Sequence, residues 1–210
     1  MEEVPVVETP VEATPAKKPA TKKPAAKKAS TTAKKTAKKA AETVEALAPV
    51  DVMRRAGIEV VTVSIMQRRE VMSAQNVTVA ADALYEDVCL CDADALVLPG
   101  GGVGTDNLSA HEPLRAALKD AHSKGTLVAA ICAAPMVFGR IGILEGRKAT
   151  CYPGCEGDLF GAEYTAVAVQ EDGNIITGCG PGVSFDFGFA LVERLCGAET
   201  VATLRSQMQF

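Results

Sequence analysis

The residue best suited to covalent chemistry is Cys132, which lies between two different sequence patterns. An apolar run from Thr126 to Ile131 follows Gly125 and predicts a buried parallel strand. The residues from Met136 to Ile141 then have helical periodicity. Cys132 is therefore predicted to lie at a strand-to-helix turn, where helix N–H groups and the positive end of the helix dipole favour a thiolate. The alternative is a buried cysteine that only packs.

The elements around Cys132 alternate between helices and strands joined by short Gly-rich loops, which indicates an α/β layer fold. A helix is predicted over Glu42 to Arg55, a strand over Glu59 to Ile65, and a second strand over Ala95 to Leu98 that ends in the loop Pro99 to Gly102. The other predicted elements are a hairpin of Val71–Met72 with Val77–Ala80, helices over Ala83–Asp87, His111–Ser123, Pro181–Leu195 and Ala198–Ser206, and strands over Glu163–Gln170 and Ile175–Thr177.

Charge divides the 210-residue chain into two parts. Residues 1–41 contain ten Lys and four Glu, whereas residues 42–210 carry a net charge of −10. The first part alternates Lys pairs with Ala, Pro, Thr and Ser, so it cannot bury enough apolar surface to offset the entropy of ordering. We predict a disordered basic tail over residues 1–41 and one folded domain over residues 42–210.

The basic tail suggests non-specific binding to nucleic acid phosphates or a nuclear localisation signal. The simpler alternative is a solvated extension with neither function. The sequence has no run of eighteen apolar residues and no apolar secretory core near its start, so we expect no membrane contact. Seven cysteines without zinc-type spacing indicate free thiols in a reducing compartment and no metal site. We expect a cytoplasmic protein, with the nucleus as the alternative location.

Four ordered motifs carry a resemblance to a known family. They are Asp51 to Ile58 (DVMRRAGI), Leu98 to Gly101 (LPGG), Ala129 to Pro135 (AAICAAP) and Gly180 to Phe187 (GPGVSFDF). The chain from Glu42 onward resembles the ThiJ/PfpI superfamily, and within it the parkinsonism-associated deglycase or glyoxalase III branch. The resemblance implies a flavodoxin-like three-layer sandwich with a mostly parallel sheet, usually a homodimer.

The resemblance also implies the roles of the site residues. A glutamate of the first helix, at Glu45 here, would bond the sulfur of Cys132 and act as general acid and base. Backbone N–H groups of the loop at Gly100 and Gly101, and of Ala133, would stabilise an oxyanion. The remaining pocket residues are Tyr152 and Pro181.

Two departures from the family pattern affect these expectations. Tyr152 stands where some members have a histidine, so we do not expect a Cys-His triad, and Ala133 excludes the protease branch, which has a histidine directly after its cysteine. The chemistry then depends on Cys132 and Glu45. Members also begin with an apolar strand, but Thr31 to Ala40 contains four Lys and cannot form a central strand. Val4 to Val7 is a poor substitute because Pro5 lacks an N–H group. We expect a disordered basic tail at the place where members of the family have their first strand.

The function expected from these residues is a glutathione-independent glyoxalase or deglycase that converts a 2-oxoaldehyde such as methylglyoxal to a hydroxy acid. No cofactor is needed, because the Gly-rich loop is not a dinucleotide fingerprint and the thiol supplies the nucleophile. One alternative is a redox-sensing, chaperone-like protein in which Cys132 is oxidised without turnover. Another is a histone-like nucleic-acid binder that carries the domain as a passenger.

Overall fold

The structure, a computed structural model, describes residues 41–210. Within this range Glu42 lies at the amino end of the first helix, and the last helix ends two residues before the carboxyl end of the chain. The helices are α1 (Thr43–Arg55), α2 (Gly102–Ala110), α3 (Glu112–Ser123), α4 (Pro135–Arg140), α5 (Ser184–Cys196) and α6 (Ala198–Met208). The strands are β1 (Val63–Ser64), β2 (Glu70–Met72), β3 (Thr78–Ala80), β4 (Ala83–Leu84), β5 (Ala95–Leu98), β6 (Leu127–Ile131), β7 (Lys148–Ala149), β8 (Glu163–Tyr164), β9 (Val169–Asp172) and β10 (Ile175–Gly178).

A four-stranded sheet in the order β5-β6-β10-β9 is the centre of the fold. Strands β5, β6 and β10 are parallel, and β9 joins β10 through an antiparallel hairpin. Strand β9 ends at Asp172 and β10 begins at Ile175. The residue types of Asp172 to Asn174 are typical of the turn between two such strands. Three further strand pairs, β1-β4, β2-β3 and β7-β8, lie outside this sheet.

Helices cover both faces of the sheet, and β6 shows why. All five of its residues are buried. Val128 and Ala130 belong to a core cluster with Leu118 of α3 and Phe138 of α4, whereas Ala129 and Ile131 belong to a second cluster with residues of α1 and α5. A strand that is buried on both faces requires a continuous apolar sequence, which is the pattern seen before Cys132. The predicted α/β flavodoxin-like, mostly parallel architecture is confirmed.

Several predicted elements differ from the structure. The strand expected over Glu59 to Ile65 is reduced to β1, because it hydrogen-bonds only to the two residues of β4. The helix expected over Ala83 to Asp87 is a short strand followed by a 3-10 turn. Helix α2, which begins inside the Gly-rich loop, was not predicted, because glycine is unfavourable in helices.

The predictions for the basic tail fall on residues 1–41, of which residues 1–40 lie outside the described residues. The same holds for Thr31 to Ala40, where relatives have their first strand, and for Val4 to Val7. Among the residues that are described, β1 and β5 are not paired with each other. None of the helices formed by residues 41–210 is long and apolar enough to cross a membrane.

Candidate active site

Cys132 lies immediately after β6, at the turn that leads to α4. Its φ is +64°, a left-handed conformation that is uncommon for a residue with a side chain. Two backbone hydrogen bonds hold this conformation: the N–H of Cys132 donates to Gly178 O at 2.8 Å, and the N–H of Tyr152 donates to Cys132 O at 2.8 Å. The turn therefore has the geometry of a nucleophile elbow, in which local strain is maintained by the strands on either side.

Glu45 reaches the same point from α1. Its side chain is 1% exposed, and its Oε2 accepts a hydrogen bond from the N–H of Gly100 at 3.1 Å. The other oxygen, Oε1, is buried without a nitrogen or oxygen donor among residues 41–210. The carboxyl group also shares a hydrogen bond with the thiol of Cys132. A buried carboxyl group with one free oxygen beside a thiol is suited to accept and return a proton.

Gly100 allows Glu45 and Cys132 to approach each other. A Cβ atom at this position would lie 2.5 Å from Glu45 Oε2, 2.7 Å from Cys132 Cβ and 2.7 Å from the carbonyl oxygen of Ile131. These distances are shorter than any normal contact, so only glycine fits between the two side chains. A Cβ atom added at Gly102, in the same glycine triplet, would have no other atom within 4 Å.

The thiol and the carboxyl group both resist ionisation. Burial raises the pKa of Glu45, while the hydrogen bond from Cys132 lowers it. Burial, the charge of Glu45 and the hydrogen bond to Glu45 raise the pKa of Cys132 to about 12. Because each negative charge opposes the other, the pair retains one proton over a wide pH range.

Two backbone N–H groups act in the opposite direction. Those of Ala133 and Gly101 point to the sulfur of Cys132 and lower its pKa. They act in the direction expected from the turn position, but burial and the carboxylate outweigh them, so the pKa of Cys132 is raised. A thiolate forms at Cys132 when Glu45 holds the shared proton. The same two N–H groups are placed to stabilise an oxygen anion that develops on a group bound to the sulfur.

The remaining predicted residues lie at the edge of the site. Tyr152 is 48% exposed and approaches Gly180, where an added Cβ would be 3.3 Å from its ring. Pro181 is exposed and begins a 3-10 turn that leads into α5. Sequence reasoning missed Gly178, whose carbonyl group fixes the turn at Cys132. Its position at the end of a strand beside β6 was the available signal.

The two histidines have other partners. His111 caps α3, where its Nδ1 accepts a hydrogen bond from the N–H of Leu114 at 3.1 Å, and its ring packs on Tyr85 with the centroids 4.5 Å apart. His122 lies at the end of α3 near the start of β6, because Asn174 donates to the carbonyl oxygens of His122 at 3.1 Å and Thr126 at 2.7 Å, whereas Cys132 follows the other end of this strand. Glu45 is therefore the titratable side chain that the described residues bring to Cys132.

The expectation that all seven cysteines are free thiols is wrong for two of them. Cys89 and Cys91 form a disulfide, whereas free thiols were predicted throughout. The spacing C-x-C did not suggest this pairing, because so small a ring is uncommon. Their sulfur atoms and the carboxylate of Asp92 lie within 4.8 Å of one another, but both sulfurs are engaged in the disulfide. Five cysteines remain free, and Cys132 is the one that contacts a buried carboxyl group.

The chain is similar to several known proteins. The model of the DJ-1/PfpI family matches residues 35–194. The Parkinson disease protein 7 homolog of Danio rerio is 38% identical over 174 residues, which cover 81% of this chain and 92% of the relative. A deglycase of Pyrococcus abyssi is 33% identical over 143 residues, covering 67% of this chain and 85% of the relative. The structure of oxidized Toxoplasma gondii DJ-1 superposes with a TM-score of 0.78 at 32% identity and covers 82% of this chain and 94% of that one.

Proposed function

We propose that this chain, which belongs to the DJ-1/PfpI family, is a glutathione-independent glyoxalase of the deglycase type. Its substrates would be small 2-oxoaldehydes such as methylglyoxal. The observation that carries the proposal is the contact between Cys132 and the buried carboxyl group of Glu45, beside the N–H groups of Ala133 and Gly101. This arrangement supplies a nucleophile, a proton carrier and anion stabilisation without a metal or nucleotide.

The first step is attack of the Cys132 sulfur on the aldehyde carbon. The shared proton moves to Glu45 as the carbon–sulfur bond forms, and it is then given to the new oxygen, so the product is a neutral hemithioacetal. The N–H groups of Ala133 and Gly101 stabilise the oxygen while it carries negative charge. The pKa of about 12 does not prevent this step, because it describes loss of the last proton of the pair.

The second step moves a proton between the two substrate carbons. Glu45 removes the hydrogen of the former aldehyde carbon as a proton, and the electron pair shifts onto the ketone oxygen, so an enediolate forms. The hydroxyl proton passes to that oxygen as Glu45 returns its proton to the neighbouring carbon, which leaves a thioester carbonyl group at the former aldehyde carbon. The aldehyde carbon is thereby oxidised and the ketone carbon reduced, so no external oxidant is needed. Water then hydrolyses the resulting thioester, which releases the hydroxy acid and regenerates the thiol of Cys132.

The direct test is consumption of methylglyoxal by the purified chain without glutathione. The parent is compared with Cys132→Ser, Glu45→Gln and the exposed control Glu59→Gln, with circular dichroism to establish that each variant is folded. We expect at least a roughly 100-fold loss of turnover in the first two variants, because each removes a group that bonds to or moves a proton on the substrate. Full turnover in folded Cys132→Ser contradicts the proposal.

Redox sensing is the second candidate, and the unpartnered Oε1 of Glu45 favours it. If Cys132 is oxidised to a sulfinate, its oxygens can accept hydrogen bonds from Ala133 and Gly101 and share a proton with Glu45. A sensor of this kind gains two oxygens at Cys132 at low peroxide concentration and does not consume methylglyoxal. Turnover measured before and after oxidation therefore separates the two functions.

The assembly and location of the protein are further parts of the proposal. We infer a homodimer, a cytoplasmic location with the nucleus as the alternative, and sequence-independent binding of nucleic acid by the basic segment of residues 1–41. Ten Lys in that segment would give binding that weakens steeply as salt rises. Retention of duplex DNA that does not change between low and high salt would contradict the proposed binding of nucleic acid.

A further inference from the structure

A disulfide and a carboxylate lie together in the segment that leads into β5. Cys89 and Cys91 are bonded to each other, and their sulfur atoms lie within 4.8 Å of an oxygen of Asp92. All three residues are exposed. Strand β5 separates this segment from Gly100 and the site at Cys132, so the proposed turnover does not use it.

The backbone holds the three exposed side chains on one short turn. Leu90–Asp92 forms a 3-10 turn that packs against α3, and the N–H of Ala93 donates to the carbonyl oxygen of Leu90 at 3.4 Å. Leu90 and Ala93 also pack against the core cluster that contains Leu118. Because these two residues anchor the turn, little chain entropy is lost when the exposed side chains close around one ion.

The disulfide can be opened without unfolding the domain. It joins residues with a sequence separation of 2, so it closes a very small loop and constrains the unfolded chain little. Both cysteines are exposed, which gives an attacking thiolate access to their sulfur atoms. A cellular thiol that attacks one sulfur forms a mixed disulfide and releases the other cysteine, and a second thiol then displaces the first. The pair thereby takes up two electrons and two protons, which the two reductant thiols give up as they join in their own disulfide.

We propose that reduced Cys89 and Cys91 form a zinc site with Asp92, and that the disulfide closes this site. Two thiolates and a carboxylate are a donor set that Zn²⁺ accepts, with water in the fourth tetrahedral position. The two sulfur atoms of such a site lie about 3.8 Å apart, a distance that the pair reaches only after the S–S bond is broken. Binding of Zn²⁺ releases the two thiol protons.

The mixed donor set selects among metal ions. Copper(I) prefers thiolate and thioether ligands, whereas magnesium and calcium prefer oxygen ligands alone. Zinc accepts both sulfur and oxygen ligands in one site. The combination of two sulfur atoms with one carboxylate therefore favours Zn²⁺.

The charge of the segment also favours a cation. Residues 86–94 contain four acids and neither Lys nor Arg. None of the ion pairs formed within residues 41–210 uses the carboxylate of Asp92. The ligand oxygen is therefore available without the loss of an ion pair among these residues, and the ion offsets the negative charge of the segment.

The test measures Zn²⁺ bound to the full-length chain before and after reduction with a phosphine, by competition with a chromogenic chelator. The five cysteines that are free in both forms provide an internal control. We expect the reduced chain to bind one more Zn²⁺ than the unreduced chain. When Co²⁺ replaces Zn²⁺, the reduced chain should also gain the sulfur-to-cobalt absorption of a tetrahedral thiolate site.

Three variants of the reduced chain test the ligands, with circular dichroism to establish that each is folded. Cys89→Ser should lose the additional ion. Asp92→Asn should bind it at least about 10-fold more weakly, because loss of even an outer partner of a metal ligand costs about 10–100-fold in affinity. Asp94→Asn makes the same change at an exposed carboxyl group outside the cluster of three and should bind Zn²⁺ as the parent does.

Three results would overturn the proposal. The first is an equal number of bound Zn²⁺ ions in the reduced and unreduced chains. The second is retention of the additional ion in reduced Cys89→Ser. The third is the same Zn²⁺ affinity in Asp92→Asn and Asp94→Asn, because the carboxylate of Asp92 would then not be a ligand.

Discussion

The glycine triplet after β5 provides a matched pair of substitutions that tests how Cys132 and Glu45 are brought together. In Gly100→Ala the new methyl group would lie 2.5 Å from Glu45 Oε2 and 2.7 Å from both Cys132 Cβ and a backbone oxygen, so the two side chains must separate. Overpacking of this kind costs about 1–3 kcal/mol, which corresponds to a fall in Tm of roughly 2–12 °C. Gly102→Ala meets nothing within 4 Å and is the control.

The effect of Gly100→Ala on turnover should be larger than its effect on stability. A displacement of about 1 Å between reacting groups reduces catalysis about 100-fold, and the contacts at Gly100 require a shift of this order. The assay is methylglyoxal consumption without glutathione at a temperature well below both Tm values, beside Gly102→Ala. Parent-like turnover in folded Gly100→Ala would refute the contact between Cys132 and Glu45, and so would an equal loss in Gly102→Ala.

Three other predictions concern stability and the cysteines. Glu45 binds its proton more tightly in the folded chain than in the unfolded one, so the free energy of unfolding should fall as pH rises from about 4.5 through its raised pKa, and urea titrations of Glu45→Gln should show a smaller fall. An equal pH dependence in the two proteins would contradict the burial of this carboxyl group. Gly139→Ala should lower Tm, because its Cβ would overlap a backbone carbonyl group, whereas Gly157→Ala should not, and differential scanning calorimetry distinguishes them. Alkylation of the unfolded, unreduced chain should label five cysteines and leave Cys89 and Cys91 unlabelled, and labelling of all seven would exclude their disulfide.

The parts of the fold that the sequence predicted best are those whose burial is complete. All five residues of β6 are buried, and its apolar run was predicted within one residue of the observed bounds. Strand β5, in which Leu96 and Leu98 are buried, was predicted with the observed bounds. Helix α3 was predicted from its apolar stripe in the same way. Helix α2 was missed because its first and third residues are glycines. Its formation depends on tertiary packing, which buries Gly104 and Thr105, and not on local propensity.

Some features of the candidate active site could also be predicted from the sequence, and others could not. The elbow at Cys132 was predictable because a strand pattern changes to a helix pattern at one residue. The place of Glu45 came from a family resemblance, because a helical glutamate is exposed in most proteins and nothing local predicts its burial. The lowering effect of the turn's N–H groups on the thiol pKa was predicted, but the raised pKa was not, because it depends on the sum of burial, a neighbouring carboxylate and two N–H groups, which only coordinates reveal.

Covalent participation of Cys132 is tested most directly by rapid-quench mass spectrometry of the chain during methylglyoxal turnover. We predict a mass increase equal to one methylglyoxal on the peptide that contains Cys132, transient in the parent and accumulating in Glu45→Gln. Loss of the carboxylate charge removes one cause of the raised pKa of Cys132, so the sulfur can still attack, whereas proton transfer between the substrate carbons is blocked. The exposed Cys196 should remain unmodified on this time scale. Consumption of methylglyoxal without any adduct on Cys132, or with the adduct on another residue, would contradict the account.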